Sequence, residues 1–170
     1  FMDHFTTTVY PKIYVPSTSW WEDDDKFAFS TLAHEYVHLK DRKRLGYIFN
    51  FLYLFPQNLT FLTAGALWNP WCLLFLLFLL PFPSPGRAWL EYRGYMMTIA
   101  CYFWLESDEF FSYHTTRGWV VSQFTSSNYY WMFPFPKLLQ KIFDRGFKNI
   151  VEGGKLTREL KQIKEIINAV

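Results

Sequence analysis

The chain has 170 residues, with 17 Lys+Arg against 15 Asp+Glu, a net charge of +2 and an aromatic fraction of 22%. This length suits a single domain, 1–170, with its own core, and so small a net charge argues against a nucleic-acid partner. Two cysteines, Cys72 and Cys101, are too few for a disulfide framework and read as buried free thiols.

In chain order, the N-terminus shows no basic region followed by an apolar run, so no signal peptide is visible in this chain. Residues Phe5 to Pro16 are rich in β-branched and aromatic types and are broken by Pro11 and Pro16, which predicts an edge strand or short hairpin. A helix of about twenty residues follows. The acidic stretch from Glu22 to Asp25 supplies its capping side chains, and Lys40, Arg42, Lys43 and Arg44 occupy its last turns before Gly46. That basic end reads as a solvated helix terminus, with a phosphate-binding patch as the alternative.

Within this helix stands His34-Glu35-Tyr36-Val37-His38, the pattern His-Glu-x-x-His. Residues four apart project from one helix face, so two imidazoles can grip one Zn²⁺ while the adjacent Glu35 reaches a water on the metal. The same face carries Asp41, which could orient the His38 ring or simply pair with Arg42 or Arg44.

From Leu45 to Gly86, 42 residues pass without a charged side chain, interrupted by Pro56 and by Asn69-Pro70. The segment predicts a hairpin-like insertion that either enters a bilayer or is buried, within the fold or in an assembly such as a virion. Its purest run, Trp71 to Phe82, is shorter than the roughly 20 residues of a membrane span.

Ser84 and Pro85 then open a second long helix, with an apolar pattern to about Phe111. Glu91, Gly94, Tyr95, Thr98 and Tyr102 share one of its faces. A catalytic zinc site needs a third protein ligand and one open position, and Glu91 is the best candidate. Gly94, one turn on, removes the bulk that would keep the two helices apart. The bland alternative makes Glu91 a surface residue paired with Arg87 or Arg93. The rivals for the ligand position are weaker: the Glu106, Asp108 and Glu109 cluster, His114 in a polar, loop-like stretch, and His4.

Tyr129-Tyr130-Trp131 reads as core or as the lining of a substrate groove. Residues 136–170 carry 8 Lys+Arg against 4 Asp+Glu, compatible with an acidic partner or a lipid surface. A short basic helix over Leu138 to Phe147 ends before Gly153-Gly154. Leu156, Leu160, Ile163, Ile167 and Val170 then make an apolar stripe at helical spacing. Together these predict C-terminal amphipathic helices over about 137–170.

A His-Glu-x-x-His helix, an apolar stretch and a helix bearing a single Glu resemble the gluzincin layout, and the apolar stretch resembles that of the CAAX-protease and heat-shock metallopeptidase branch. In that branch an Asp follows the glutamate ligand by about four residues, after a small residue. Here Gly94 is the small residue and Tyr95 stands in place of the Asp. The chain also resembles small His-Glu-x-x-His proteins of tailed phages in its Arg44-Leu45-Gly46 end to the first helix and its Glu91 to Tyr95 spacing. The resemblance implies an α+β, predominantly helical, zincin-like fold, with a strand beside the active-site helix to bind an extended peptide or protein substrate.

The expectation is therefore a zinc metallopeptidase, with His34, His38 and Glu91 as ligands and Glu35 as general base. Tyr95 and His114 are candidates for holding the oxyanion. The competing expectation is a catalytically silent zinc-binding structural or assembly protein, distinguished by a fourth protein ligand or a blocked groove.

Overall fold

A computed structural model describes residues 6–15, 25–105 and 113–169. The architecture is predominantly helical, with one two-stranded antiparallel sheet. Strands β1 (Thr7–Val9) and β2 (Lys12–Tyr14) pair with Thr8 opposite Ile13, and the turn between them holds Pro11. Proline suits the turn because it has no amide hydrogen to give to a ladder.

Helix α1 spans Asp25–Leu45 and carries the His-Glu-x-x-His pentapeptide. The acidic residues expected to cap it, Glu22 to Asp24, lie outside the described residues. Its end falls at Gly46, which adopts φ 57°, in the left-handed region that favours glycine. A short helix α2 (Tyr47–Leu54) follows, and then two 3₁₀ segments, Gln57–Leu67 and Pro70–Leu79. They pack against each other as a hairpin and join the body through α2. The breaks fall where the imino acids are, at Pro56 and at Asn69-Pro70. At their crossing, the Gly65 position faces the Cys72 sulfur so closely that a Cβ there would lie 2.9 Å from it.

Helix α3 (Pro85–Leu105) is the axis of the fold and touches α1, α2 and the three later helices α4 (Tyr113–Thr125), α5 (Pro136–Val151) and α6 (Arg158–Ala169). Every residue from Gly94 to Cys101 is buried. Ser84 occupies the position before Pro85, as expected of a cap, and its hydroxyl donates to the Phe55 carbonyl. The core around α3 is filled by Leu90, Met97, Ile99, Phe124, Met132 and Phe143, all fully buried. In the last helix Leu160 and Ile163 are buried and Ile167 packs against the core, as does Leu156 just before it, so the described part of the C-terminal stripe docks inward; Val170 lies outside the described residues.

The fold corrects three expectations. Residues 113–117, expected as loop, form the first turns of α4. Cys101 is buried, and burial pushes its thiol up to about 12, but Cys72 is only half-buried within the hairpin. The apolar segment is not interior to the fold: Phe61, Leu67, Trp68 and Trp71 are each more than two-thirds exposed. Among the described residues, no helix is long and apolar enough to cross a membrane.

Phe143 is fully buried and meets Tyr92 and Phe124 ring to ring. Phe143→Ala leaves a cavity in the core and should cost about 3–5 kcal/mol. Urea denaturation followed by circular dichroism measures that loss directly.

Candidate metal centre

Two helices build the centre. His34 and His38 stand one turn apart on α1, and Glu91 faces them from α3. All three are buried, with Glu91 only 2% exposed. The helices meet closely because α3 has no side chain at Gly94. A Cβ there would lie 2.6 Å from Nε2 of His34 and within 2.8 Å of two ring carbons. The imidazole thus fills the volume that glycine leaves open.

The ligand atoms converge. Nε2 of His34 lies 3.0 Å from Nε2 of His38, and Glu91 Oε2 lies 3.5 Å from the first and 3.7 Å from the second. Bonds of about 2.0–2.1 Å at a tetrahedral angle separate two ligand atoms by about 3.3 Å, so these spacings fit one small cation. Among the described residues Oε2 is buried without a hydrogen-bond donor, so its lone pairs stay available on the side of the two imidazoles. This group of two imidazoles and one carboxylate can hold a metal ion.

The surroundings fix each ligand. His34 Nδ1 lies 3.3 Å from Thr98 Oγ1, whose hydroxyl faces the Gly94 carbonyl at 3.4 Å. In that chain the hydroxyl donates to the carbonyl and Nδ1–H donates to the hydroxyl. Nε2 is then the unprotonated nitrogen that a metal requires. Glu91 Oε1 accepts a 2.8 Å hydrogen bond from the Tyr53 hydroxyl. Tyr53 is held in turn by Arg87, which donates to its carbonyl at 2.9 Å and lies over its ring at 4.8 Å. His38 Nδ1 has no hydrogen-bond partner among the described residues.

The charges follow the geometry. Burial alone would raise the Glu91 pKa, but the two imidazoles outweigh it and hold the carboxyl well below the usual carboxylate range. Burial likewise works against charge on His38, yet Glu91, with Glu35 and Asp41, raises its pKa above the ordinary value. Burial and the neighbouring Glu91 charge push the Tyr53 hydroxyl well up, and the Tyr129 hydroxyl up to about 12. Both phenols therefore stay neutral and can donate hydrogen bonds.

A groove of about 550 Å³ opens over the centre. Thr6 to Tyr10 form one wall and Phe49, Asn50, Tyr53 and Leu54 of α2 another, with His34, Glu35, His38, Glu91 and Tyr129 between them. Glu35 faces this space, and its Oε2 accepts a 2.6 Å hydrogen bond from the Thr8 hydroxyl of β1. The hairpin therefore lies beside the histidine helix and steadies its glutamate.

Other candidates fall elsewhere. Asp41 does not orient His38, nor does it pair with Arg42 or Arg44: it accepts a 2.9 Å bond from Arg93, which also reaches Glu159 at 3.6 Å. That pairing also removes Arg93 from Glu91, while Arg87 acts on Glu91 only through Tyr53. Tyr95 is buried behind the site, edge-on to the His34 ring at 4.8 Å, and its hydroxyl donates to Tyr129 at 3.2 Å. His114 is exposed on the first turn of α4 beside Tyr113 and does not line the groove. His4 and the Glu106, Asp108 and Glu109 cluster lie outside the described residues. Three polar groups escape the sequence reading as site residues: Thr8, Tyr53 and Thr98, whereas Tyr129, a candidate for the groove lining, does line the groove.

Two substitutions test this geometry. Gly94→Ala forces a methyl into the His34 ring, so it should destabilise the protein by about 1–3 kcal/mol and weaken metal binding. Tyr53→Phe keeps the ring and removes only the donor to Glu91, and should lower metal affinity by about 10–100-fold. Competition with a chromophoric chelator reads both.

Comparison with family models, with curated proteins and with solved structures gave no match, so the reading of this centre rests on its own geometry.

Proposed function

We propose that the chain is a zincin-like, zinc-dependent hydrolase acting on peptide bonds. The observation that carries this reading is the convergence of His34, His38 and Glu91 at the floor of a groove that Glu35 also faces. Two imidazoles and one carboxylate are a donor set that suits catalytic zinc, and among the described residues the group has three members, consistent with a fourth position open to water. When bound, zinc supplies the Lewis acidity that brings the pKa of a coordinated water towards neutrality.

The chain's own residues perform the remaining tasks. Glu35 is the proton acceptor, and the Thr8 hydrogen bond holds its carboxylate in one orientation. The same carboxyl, once protonated, can return its proton to the leaving amine. Tyr129 takes the role of oxyanion donor for which Tyr95 and His114 were candidates. Tyr95 donates to the Tyr129 oxygen, which leaves the Tyr129 proton free to turn into the groove. Thr98 and Tyr53 act through the ligands, the first by setting the His34 tautomer and the second by orienting Glu91. Backbone between Thr6 and Tyr10 supplies a wall along which an extended peptide can lie.

The open groove favours this reading over a silent zinc-binding structural protein. The test separates ligands from base. Purified protein should carry about one zinc per chain, and His34→Ala/His38→Ala should carry none. Glu35→Gln should keep the zinc and lose about 100-fold or more of peptide hydrolysis. Stoichiometric zinc in the double histidine variant would overturn the site, and full hydrolysis in Glu35→Gln would overturn the base.

A further inference from the structure

The 3₁₀ hairpin differs in kind from the rest of the surface. Trp68 and Trp71 at its tip are 84% and 71% exposed, and along Pro70–Leu79 exposed leucines recur at 73, 74, 76, 77 and 79. At three residues per turn these leucines lie on two of the helix's three faces, not on one stripe, while Cys72, Phe75 and Phe78 on the third are half-buried. A protein partner covers one face of such a helix, whereas lipid covers every side.

The hairpin is also closed in its backbone. Each segment carries its own helical hydrogen bonds, and at the tip the Asn69 side chain accepts from the Trp71 amide at 3.1 Å. Apart from Asn69 at the tip, its polar side chains Gln57, Asn58, Thr60 and Thr63 all belong to the first segment, and Pro70–Leu79 has none but the Cys72 thiol. Ten residues of 3₁₀ helix run about 20 Å. That exceeds the roughly 15 Å of one leaflet and falls short of the roughly 30 Å of the whole hydrocarbon core.

In sequence, cations bracket the uncharged segment. Lys43 and Arg44 stand exposed at the end of α1, just before the uncharged segment, and Arg87 begins the charged sequence after it. Cations flanking an uncharged apolar segment match the anionic headgroups that border a hydrocarbon layer.

We propose that residues 57–80 insert obliquely into a single leaflet of a lipid bilayer with anionic headgroups, anchoring the protein without crossing the membrane. Because α2 both lines the groove and leads into the hairpin, the groove then stands near the lipid surface. The anchor rests on the hairpin alone and holds whether or not the metal centre hydrolyses peptides.

Flotation of the full chain with phosphatidylcholine vesicles, with and without phosphatidylglycerol, tests this. The protein should float with the mixed vesicles and bind several-fold less to phosphatidylcholine alone. Leu74→Glu/Leu77→Glu should lower partitioning by about 100-fold or more while the far-ultraviolet dichroism stays unchanged. Lys43→Glu/Arg44→Glu, which leaves the hairpin intact, should lower binding to the mixed vesicles several-fold and leave binding to phosphatidylcholine as it was. The proposal is overturned if the native chain fails to float with either vesicle, or if the leucine pair leaves flotation unchanged. It is equally overturned if the chain forms a soluble oligomer that the leucine pair dissolves, which would assign the hairpin to another copy of the chain.

Discussion

The centre depends on the absence of one side chain. With hydrogen at Gly94, the His34 ring can press against the α3 backbone. Helical periodicity then does the rest: Glu91, one turn earlier on α3, reaches the Nε2 side of both imidazoles, and Thr98, one turn later, reaches His34 Nδ1. The same close approach aligns α1 with the most buried helix of the fold. Core packing and ligand placement are therefore one constraint, and what loosens the helix contact loosens the coordination geometry with it.

Such an arrangement is not there for stability. Taking a carboxylate and two imidazoles out of water carries a desolvation cost of several kcal/mol per charged group, which apolar residues of similar volume would not incur. The fold meets part of that cost with the Tyr53 hydroxyl on Oε1, and among the described residues Oε2 of Glu91 and Nδ1 of His38 have no hydrogen-bond partner. Strongly shifted ionisable groups at the floor of a groove are the pattern that function selects. The Arg93 bridge between Asp41 and Glu159 is of another kind. It ties α1 and α6 to α3 and takes no part in the groove.

The sequence was legible where the information is local. Two histidines four apart specify a shared helix face, and Gly94 one turn after Glu91 marks where another helix can approach. Pro11 marks the turn of the β1–β2 hairpin. What escaped is set by contacts across the chain. No pattern in an uncharged apolar stretch marks Tyr53 as the residue that reaches Glu91 from 38 positions away. Asp41 has arginines at neighbouring positions on its own helix, yet its partner comes from another. The α4 stretch, with its polar start and Gly118, has too weak an apolar period to show as helix, and it buries only Val120, Val121 and Phe124. Hydrophobicity by itself did not say whether residues 57–80 lie inside the fold or outside it, because both settings select the same residue types.

The way that hairpin is attached insulates the centre from it. An element whose hydrogen bonds close within itself and whose side chains touch little of the body can open locally, ahead of the cooperative core. Such opening runs down to Pro56 and meets the Ser84 hydroxyl on the Phe55 carbonyl and the Arg87 guanidinium on the Tyr53 carbonyl. These two clamps come from the start of α3, the most rigidly held helix of the fold. Opening of the hairpin would thus stop just short of the phenol that orients Glu91, and the ligand set would keep its shape.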